Sequence, residues 1–237
     1  MIGILCAMES EMNAIVELMD ECRKEEHFER SYVKGKIADK AVVVSKCGIG
    51  KVSSAIVCAM MIQAYQPELI INVGVAGGAK DFEKTLDIVI ADRLTYHDWD
   101  NDIIEDRPSS FANNTYVFET DQRLNEMALK AFDSQCGHKA YIGPIVSGDS
   151  FVARREDVAR ITSTYPEAYC CDMESTSIAH CCQYYHTPVL IIRSLSDIVT
   201  RENNSVDYSQ FMPVAAGQAA KLCAGFIKTY NKKTELD

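Results

Sequence analysis

No stretch of this 237-residue chain reaches the ~18 consecutive apolar residues that a membrane-spanning helix needs. The opening MIGILCAMESEM lacks the basic start and long apolar run of a secretory leader, and Glu9 and Glu11 interrupt it early. The expected compartment is therefore the cytoplasm. Positive charge is also short: 24 Lys and Arg against 34 Asp and Glu leave a formal net charge of -10. That balance argues against a general nucleic-acid surface and against an anionic membrane, while a small neutral or cationic substrate stays compatible with it. No C-x-x-C spacing occurs among the ten cysteines, and the five histidines complete no zinc pattern. Six cysteines are scattered, and Cys170-Cys171 and Cys181-Cys182 are adjacent pairs. In a chain of this length they read as buried free thiols of a reducing compartment, with a metal site built from the two vicinal pairs as the lesser reading. A Pro/Gly/Ser-rich linker and internal repeats are missing as well, which leaves one domain over residues 1–230 and a polar tail at 231–237.

What is present is alternation. Hydrophobic residues make up 47% and charged residues 24%, enough apolar material for a full core without staples. Apolar runs at Met1 to Ala7, Leu69 to Val75, Leu86 to Thr95, Ala140 to Val146, 168–173 and 188–195 read as strands. Tyr32 to Ile37 and Lys40 to Lys46 form a further pair around a turn at Ala38-Asp39. Helical spacing covers Glu9 to Met19, Gly50 to Tyr65, Asp121 to Phe132, Ser175 to Tyr184 and Phe211 to Tyr230. Strands alternating with helices along the whole chain give an α/β class: three layers, α/β/α, around a mixed, largely parallel twisted sheet. Trp99 to Thr115, polar and carrying Pro108, reads as a long surface loop.

Ligands of open α/β sheets gather at the carboxyl ends of strands. Here those ends carry Glu9 and Glu11, then Cys47 to Lys51, Gly74 to Gly78, Ser147 to Phe151, Asp172 to Ser175 and Arg193 to Asp197. Each is weak alone. Neither glycine cluster is a dinucleotide fingerprint, because G-x-G-x-x-G is absent, and tight turns explain the glycines equally well. Acidic residues at helix starts are favoured structurally, and Asp197 reads equally as a cap or turn residue.

The combination is more specific. GILCAMESEM at 3–12, KCGIGKV at 46–52, INVGVAGG at 71–78, YHD at 96–98, VSGDSF at 146–151, DMESTSIAH at 172–180 and RSLSD at 193–197 occur in that order. Together they resemble the nucleoside phosphorylase and nucleosidase superfamily, in particular the bacterial 5′-methylthioadenosine/S-adenosylhomocysteine nucleosidases. The resemblance implies metal-free, cofactor-free hydrolysis of an adenine nucleoside by a homodimer. It makes Glu11 the general base on the attacking water and Asp197 the acid that protonates N7 of adenine. It makes Glu174 the partner of the ribose hydroxyls, packs Met173 under the sugar and Phe151 on the purine, and offers backbone groups of Val152 to the adenine edge. Ser196 is expected to support Asp197, and Arg193 the water site, with Ala76, Gly77 and Asp172 also lining the substrate. The chemistry suits two carboxyls in different surroundings, because adenine leaves well once N7 is protonated and the ribose then gains oxocarbenium character.

A phosphate-dependent purine nucleoside phosphorylase and a non-catalytic purine-binding relative stay as alternatives. Phosphorylases of the superfamily place arginine near the end of the first strand and before the second glycine-rich segment. This chain has Glu9 and Glu11 at the first place and Asn72 at the second, and acidic groups repel a dianion. All three carboxylates are retained, which weighs against a non-catalytic protein. Two departures bear on substrate. Val75 stands where many of the nucleosidases carry a hydroxyl, and 99–111 differs from the segment that in the family crosses a dimer interface to close over the 5′ substituent. Ile103, Ile104, Pro108 and Phe111 are expected to supply an apolar wall there.

Overall fold

The computed structural model describes residues 1–99, 116–132, 137–201 and 204–231. The expected loop at Trp99 to Thr115 and its apolar wall lie, apart from Trp99, outside the described residues. In chain order the elements are β1 (Ile2–Cys6), α1 (Glu9–Val16), β2 (Asp20–His27), β3 (Arg30–Ile37), β4 (Lys40–Lys46), α2 (Lys51–Tyr65), β5 (Leu69–Gly78) and β6 (Ile88–Tyr96). There follow β7 (Phe118–Glu119), α3 (Gln122–Ala131), β8 (Ala140–Ser147), α4 (Arg155–Thr164), β9 (Cys170–Asp172), α5 (Ser175–Tyr184), β10 (Val189–Ile198) and α6 (Asn204–Thr229).

The continuous apolar runs form the centre of the sheet. β1 and β10 are buried at every position, as strands covered on both faces must be. β1 lies parallel between β4 and β5, and β10 lies parallel on the other side of β5. One face is packed by α1, α3 and α6 through Met12, Ile15, Leu124 and Phe226. The other is packed by α2 and α5 through Val57, Met61, Ile178 and Cys182. Each fully buried Ile or Leu of these layers contributes about 1.5–3 kcal/mol relative to exposure. The three-layer α/β/α arrangement is as expected.

The sheet is more mixed at its margins than its centre. β2, β3 and β4 form an antiparallel meander, turned at Phe28-Glu29 and Ala38-Asp39, where both residues of each turn have positive φ. That is the twist-matched geometry of a two-residue hairpin. β9 runs antiparallel to β5, pairing Gly77 with Cys171, and β6 runs antiparallel to β10.

Several boundaries depart from the expected ones for physical reasons. β2 was not expected: DECRKEEH is charged at nearly every position and has no apolar alternation, as suits a solvated edge strand held by Glu21–Lys36 and Glu25–Lys34 ion pairs. α4 was also missed, because only Ile161 of its residues is buried and no apolar face announces it. The two-residue β7 is too short to leave a pattern. α1 ends at Val16 rather than Met19, and α6 begins at Asn204, seven residues ahead of the expected Phe211, running through Pro213. β5 extends through the glycine segment to Gly78 rather than ending at Val75.

Candidate active site

The parallel strands β4, β1, β5 and β10 end on one side, and β9 brings Asp172 into the same space beyond the Gly77–Cys171 pair. A cleft opens there. Glu11, Ala76, Gly77, Phe151, Asp172, Met173, Glu174, Ser196 and Asp197 line it, so the folded chain brings together most of the expected site. Val152 borders an adjoining recess with Gly77, Met173 and Asp197. Arg193 is not among the lining residues and stands behind them.

Glu11 is the third residue of α1 and is 3% exposed. One carboxylate oxygen accepts the N–H of Met8, at 2.9 Å, and the other accepts the N–H of Val75, at 3.0 Å. Burial pushes its pKa up, opposed by these N–H donors and by the charge of Arg193. Val75 thus acts on this site through its main chain, whatever its side chain lacks. The approach requires Gly74: a Cβ there would lie 2.9 Å from Glu11 Oε1 and 3.5 Å from Arg193 Cζ.

Asp197 sits on β10 just after an irregularity in its pairing with β5. Leu195 pairs with Ala76 and Asp197 with Gly77, leaving Ser196 as the extra residue. Such bulges re-aim side chains at strand ends. Here the Ser196 hydroxyl donates to Asp197 Oδ1 at 2.8 Å, and the carboxyl is 2% exposed. Gly77 leaves it room, since a Cβ would stand 3.3 Å from Asp197 Oδ2.

Glu174 occupies the N-cap position of α5 and accepts the N–H of Gly50 at 2.9 Å. Burial first, and then the charge of Asp172, pushes its pKa up to about 8, with Arg193 pulling the other way. Asp172 borders the cleft with both oxygens engaged. It accepts from Ser147 Oγ at 2.5 Å, from the Ser175 hydroxyl and from Arg193 Nε at 2.8 Å. Arg193, 1% exposed, also donates to Asn72 Oδ1 at 2.5 Å and to the Ile192 carbonyl at 3.0 Å. Its own pKa is raised: burial opposes the charge, and Asp172, Glu174 and Glu11 more than offset that. One guanidinium therefore anchors a group of buried carboxyls. No lysine or arginine is among the residues that line the cleft.

The opposite wall is apolar. Phe151 is 48% exposed at the rim and meets the Tyr208 ring edge-on at 5.1 Å, while the Tyr208 hydroxyl donates to Met8 Sδ at 3.6 Å. Met8, Ile49 and Tyr208 line the cleft and were not singled out from the sequence. Met8 and Ile49 lay inside quoted motifs, but Tyr208 lies in a polar stretch that carried no signal. Among the described residues, no group of His, Cys, Asp or Glu is arranged to hold a metal ion, and nine cysteines are free thiols. Seven of the nine are buried; Cys22 is exposed and Cys181 only partly covered, in contrast to the uniform burial expected. No helix of the described residues is long and apolar enough to cross a membrane.

Known proteins resemble this chain in sequence and in fold. A family model described as the phosphorylase superfamily matches residues 1–228. The 5′-methylthioadenosine/S-adenosylhomocysteine nucleosidase of Desulfotalea psychrophila is 35% identical over 222 residues, 93% of this chain and 94% of that one. The Neisseria meningitidis nucleosidase, solved with methylthio-immucillin-A, superposes with a TM-score of 0.89 at 31% identity, covering 97% of this chain and 99% of that one. The Colwellia psychrerythraea nucleosidase, solved with adenine, gives 0.89 at 30% identity, covering 95% and 93%. The chain belongs to the 5′-methylthioadenosine/S-adenosylhomocysteine nucleosidases of the phosphorylase superfamily.

Proposed function

We propose that this protein hydrolyses the N-glycosidic bond of adenine nucleosides, 5′-methylthioadenosine and/or S-adenosylhomocysteine, to adenine and the 5′-substituted ribose. The observation that carries the reading is that Glu11 and Asp197, from opposite ends of the chain, border one cleft that also holds Glu174.

In this reading Asp197 donates a proton to N7, so the C1′–N9 bonding pair leaves with a neutral purine rather than an anion. Water attacks C1′ from the other face, and Glu11 takes its proton. Burial makes Glu11 a stronger base than a surface glutamate, while the two N–H donors favour its ionised form. Ser196 holds the Asp197 carboxyl in place through its hydroxyl. Glu174 accepts the ribose hydroxyls, Met173 packs under the sugar, Phe151 stacks on the base, and Val152 offers its main chain to the base edge. Ala76 and Gly77 form the floor. Asp172 and Arg193 act through their mutual ion pair, which fixes the strand ends that carry the other groups.

Water rather than phosphate is the favoured nucleophile. Phosphate needs cations or clustered N–H donors. The lining residues include four carboxyls and no cation, and the N–H groups of Met8 and Val75 already bind Glu11.

The reading extends to a homodimer. Val52, Ile56 and Tyr184 expose 70%, 51% and 82% of their surface on the α2–α5 face, where Tyr96 and Trp99 line the same groove. The family resemblance is the ground for proposing that residues around 99–111 serve the partner's cleft in such a dimer. Residues 1–230 are read as one domain with 231–237 as a tail, and the free thiols suit the cytoplasm.

The test is Asp197→Asn assayed on methylthioadenosine. A loss in kcat of about 10²–10⁴-fold, with substrate binding retained, is expected for removal of a general acid. Wild-type turnover in the variant would remove Asp197 from the mechanism.

A further inference from the structure

The turn that opens α2 touches both halves of the cleft. Gly50, in a positive-φ conformation, gives its N–H to Glu174. The next residue, Lys51, gives its N–H to Asp149 Oδ1 at 2.8 Å. α2 has no side-chain cap of its own, so Asp149 caps it from another part of the chain. A φ of +92° holds position 50 to glycine, and a Cβ there would also stand 2.8 Å from Asp149 Oδ1.

The Lys51 side chain then closes a ring. Its ammonium donates to Asp98 Oδ2 at 2.6 Å, and the same oxygen accepts the N–H of Asp149 at 2.8 Å. Asp149 Oδ2 lies 3.7 Å from the same ammonium, which also stands 5.5 Å from the centre of the Tyr96 ring. The Lys51 and Asp98 side chains are 20% and 22% exposed, so this pair is screened far less than a surface one. Asp149 is followed by Ser150, Phe151 and Val152, the segment that forms the rim of the cleft and its adjoining recess. On its other side, Gly148 donates its N–H to the Asp172 carbonyl at 3.1 Å and packs on His97.

We infer that Lys51 is a positioning residue for purine binding: with Asp98 it clasps Asp149, and so fixes the segment that places Phe151 and Val152 against the base. The inference rests on the reading of Phe151 and Val152 as the base-contacting groups. Lys51 is not among the residues that line the cleft. Its effect therefore belongs in affinity for the base and not in the chemical step. Because Gly50 and Lys51 are adjacent, the same turn ties the base segment to the carboxyl read as the sugar's partner.

The experiment compares wild type with Lys51→Met, Lys51→Arg and Asp98→Asn. It measures kcat and KM on methylthioadenosine and, separately, the equilibrium dissociation constant of adenine. Losing a partly buried charge-assisted hydrogen bond predicts that KM and the adenine constant rise together by about tenfold in Lys51→Met. Asp98→Asn should shift both in the same direction, Lys51→Arg should recover most of the loss, and kcat should fall by less than KM rises. A fall in kcat with adenine affinity intact would overturn the assignment, and so would wild-type affinity in Asp98→Asn. If Lys51→Met does not fold, Asp98→Asn decides. Wild-type protein that binds adenine but releases none from methylthioadenosine counts against the nucleosidase reading alone, and the adenine constants still decide the clasp.

Discussion

Glu11, Asp172, Glu174 and Asp197 share the wall of one cleft, and Arg193 is the cation buried behind them. Such crowding sets proton affinities as strongly as any hydrogen bond does. At Glu174 burial first, and then the charge of Asp172, pushes the pKa up to about 8 from a usual 4.5. The folded protein therefore keeps a proton that the unfolded chain loses, so this group's contribution to stability falls as pH rises through that window and is flat above it. Urea unfolding of wild type and Glu174→Gln should show the variant gaining on wild type from about pH 4.5 to about pH 8, where the two carboxyl states differ most. A pH-independent gap would mean that Glu174 is ionised throughout. At this scale the sequence was informative about the carboxylates, since each lies in a recognisable motif at a strand end. It was silent on Tyr208, whose place on the cleft depends on where α6 begins. It was also silent on the pairing of Arg193 with Asp172, which only packing reveals.

Between elements, glycines decide how closely the site can be assembled. Gly148 is tightly constrained: an added Cβ would stand 2.4 Å from His97 Cε1, 2.6 Å from its Nε2 and 2.9 Å from Asp98 Cγ. His97 is buried and cannot swing clear. Gly148→Ala should therefore destabilise the fold by about 1–3 kcal/mol, the usual cost of overpacking. Thermal or urea denaturation checks it, and an unchanged midpoint would show that the His97 ring yields. The elements legible in the sequence were those with an apolar period: β1, β5, β10 and α5 lie within a few residues of where the patterns put them. The illegible ones expose nearly everything they have. β2 is held by pairing with β3 and by surface charge, and α4 buries a single residue, so neither contains the burial signal that pattern reading depends on.

For the whole molecule, exposed Val52, Ile56 and Tyr184 on the α2–α5 face are the physical argument for a second copy. Light scattering at micromolar concentration should return twice the 26.4 kDa of the chain, and a monomer mass would contradict the pairing. The central claim is that water, activated beside Glu11, takes the ribose while adenine leaves protonated from the side of Asp197. Its most direct test is turnover of methylthioadenosine in ¹⁸O-labelled water with phosphate present, followed by mass analysis of the sugar. Adenine and a free methylthioribose carrying one ¹⁸O are the expected products. A 5-methylthioribose-1-phosphate product without the label would contradict it.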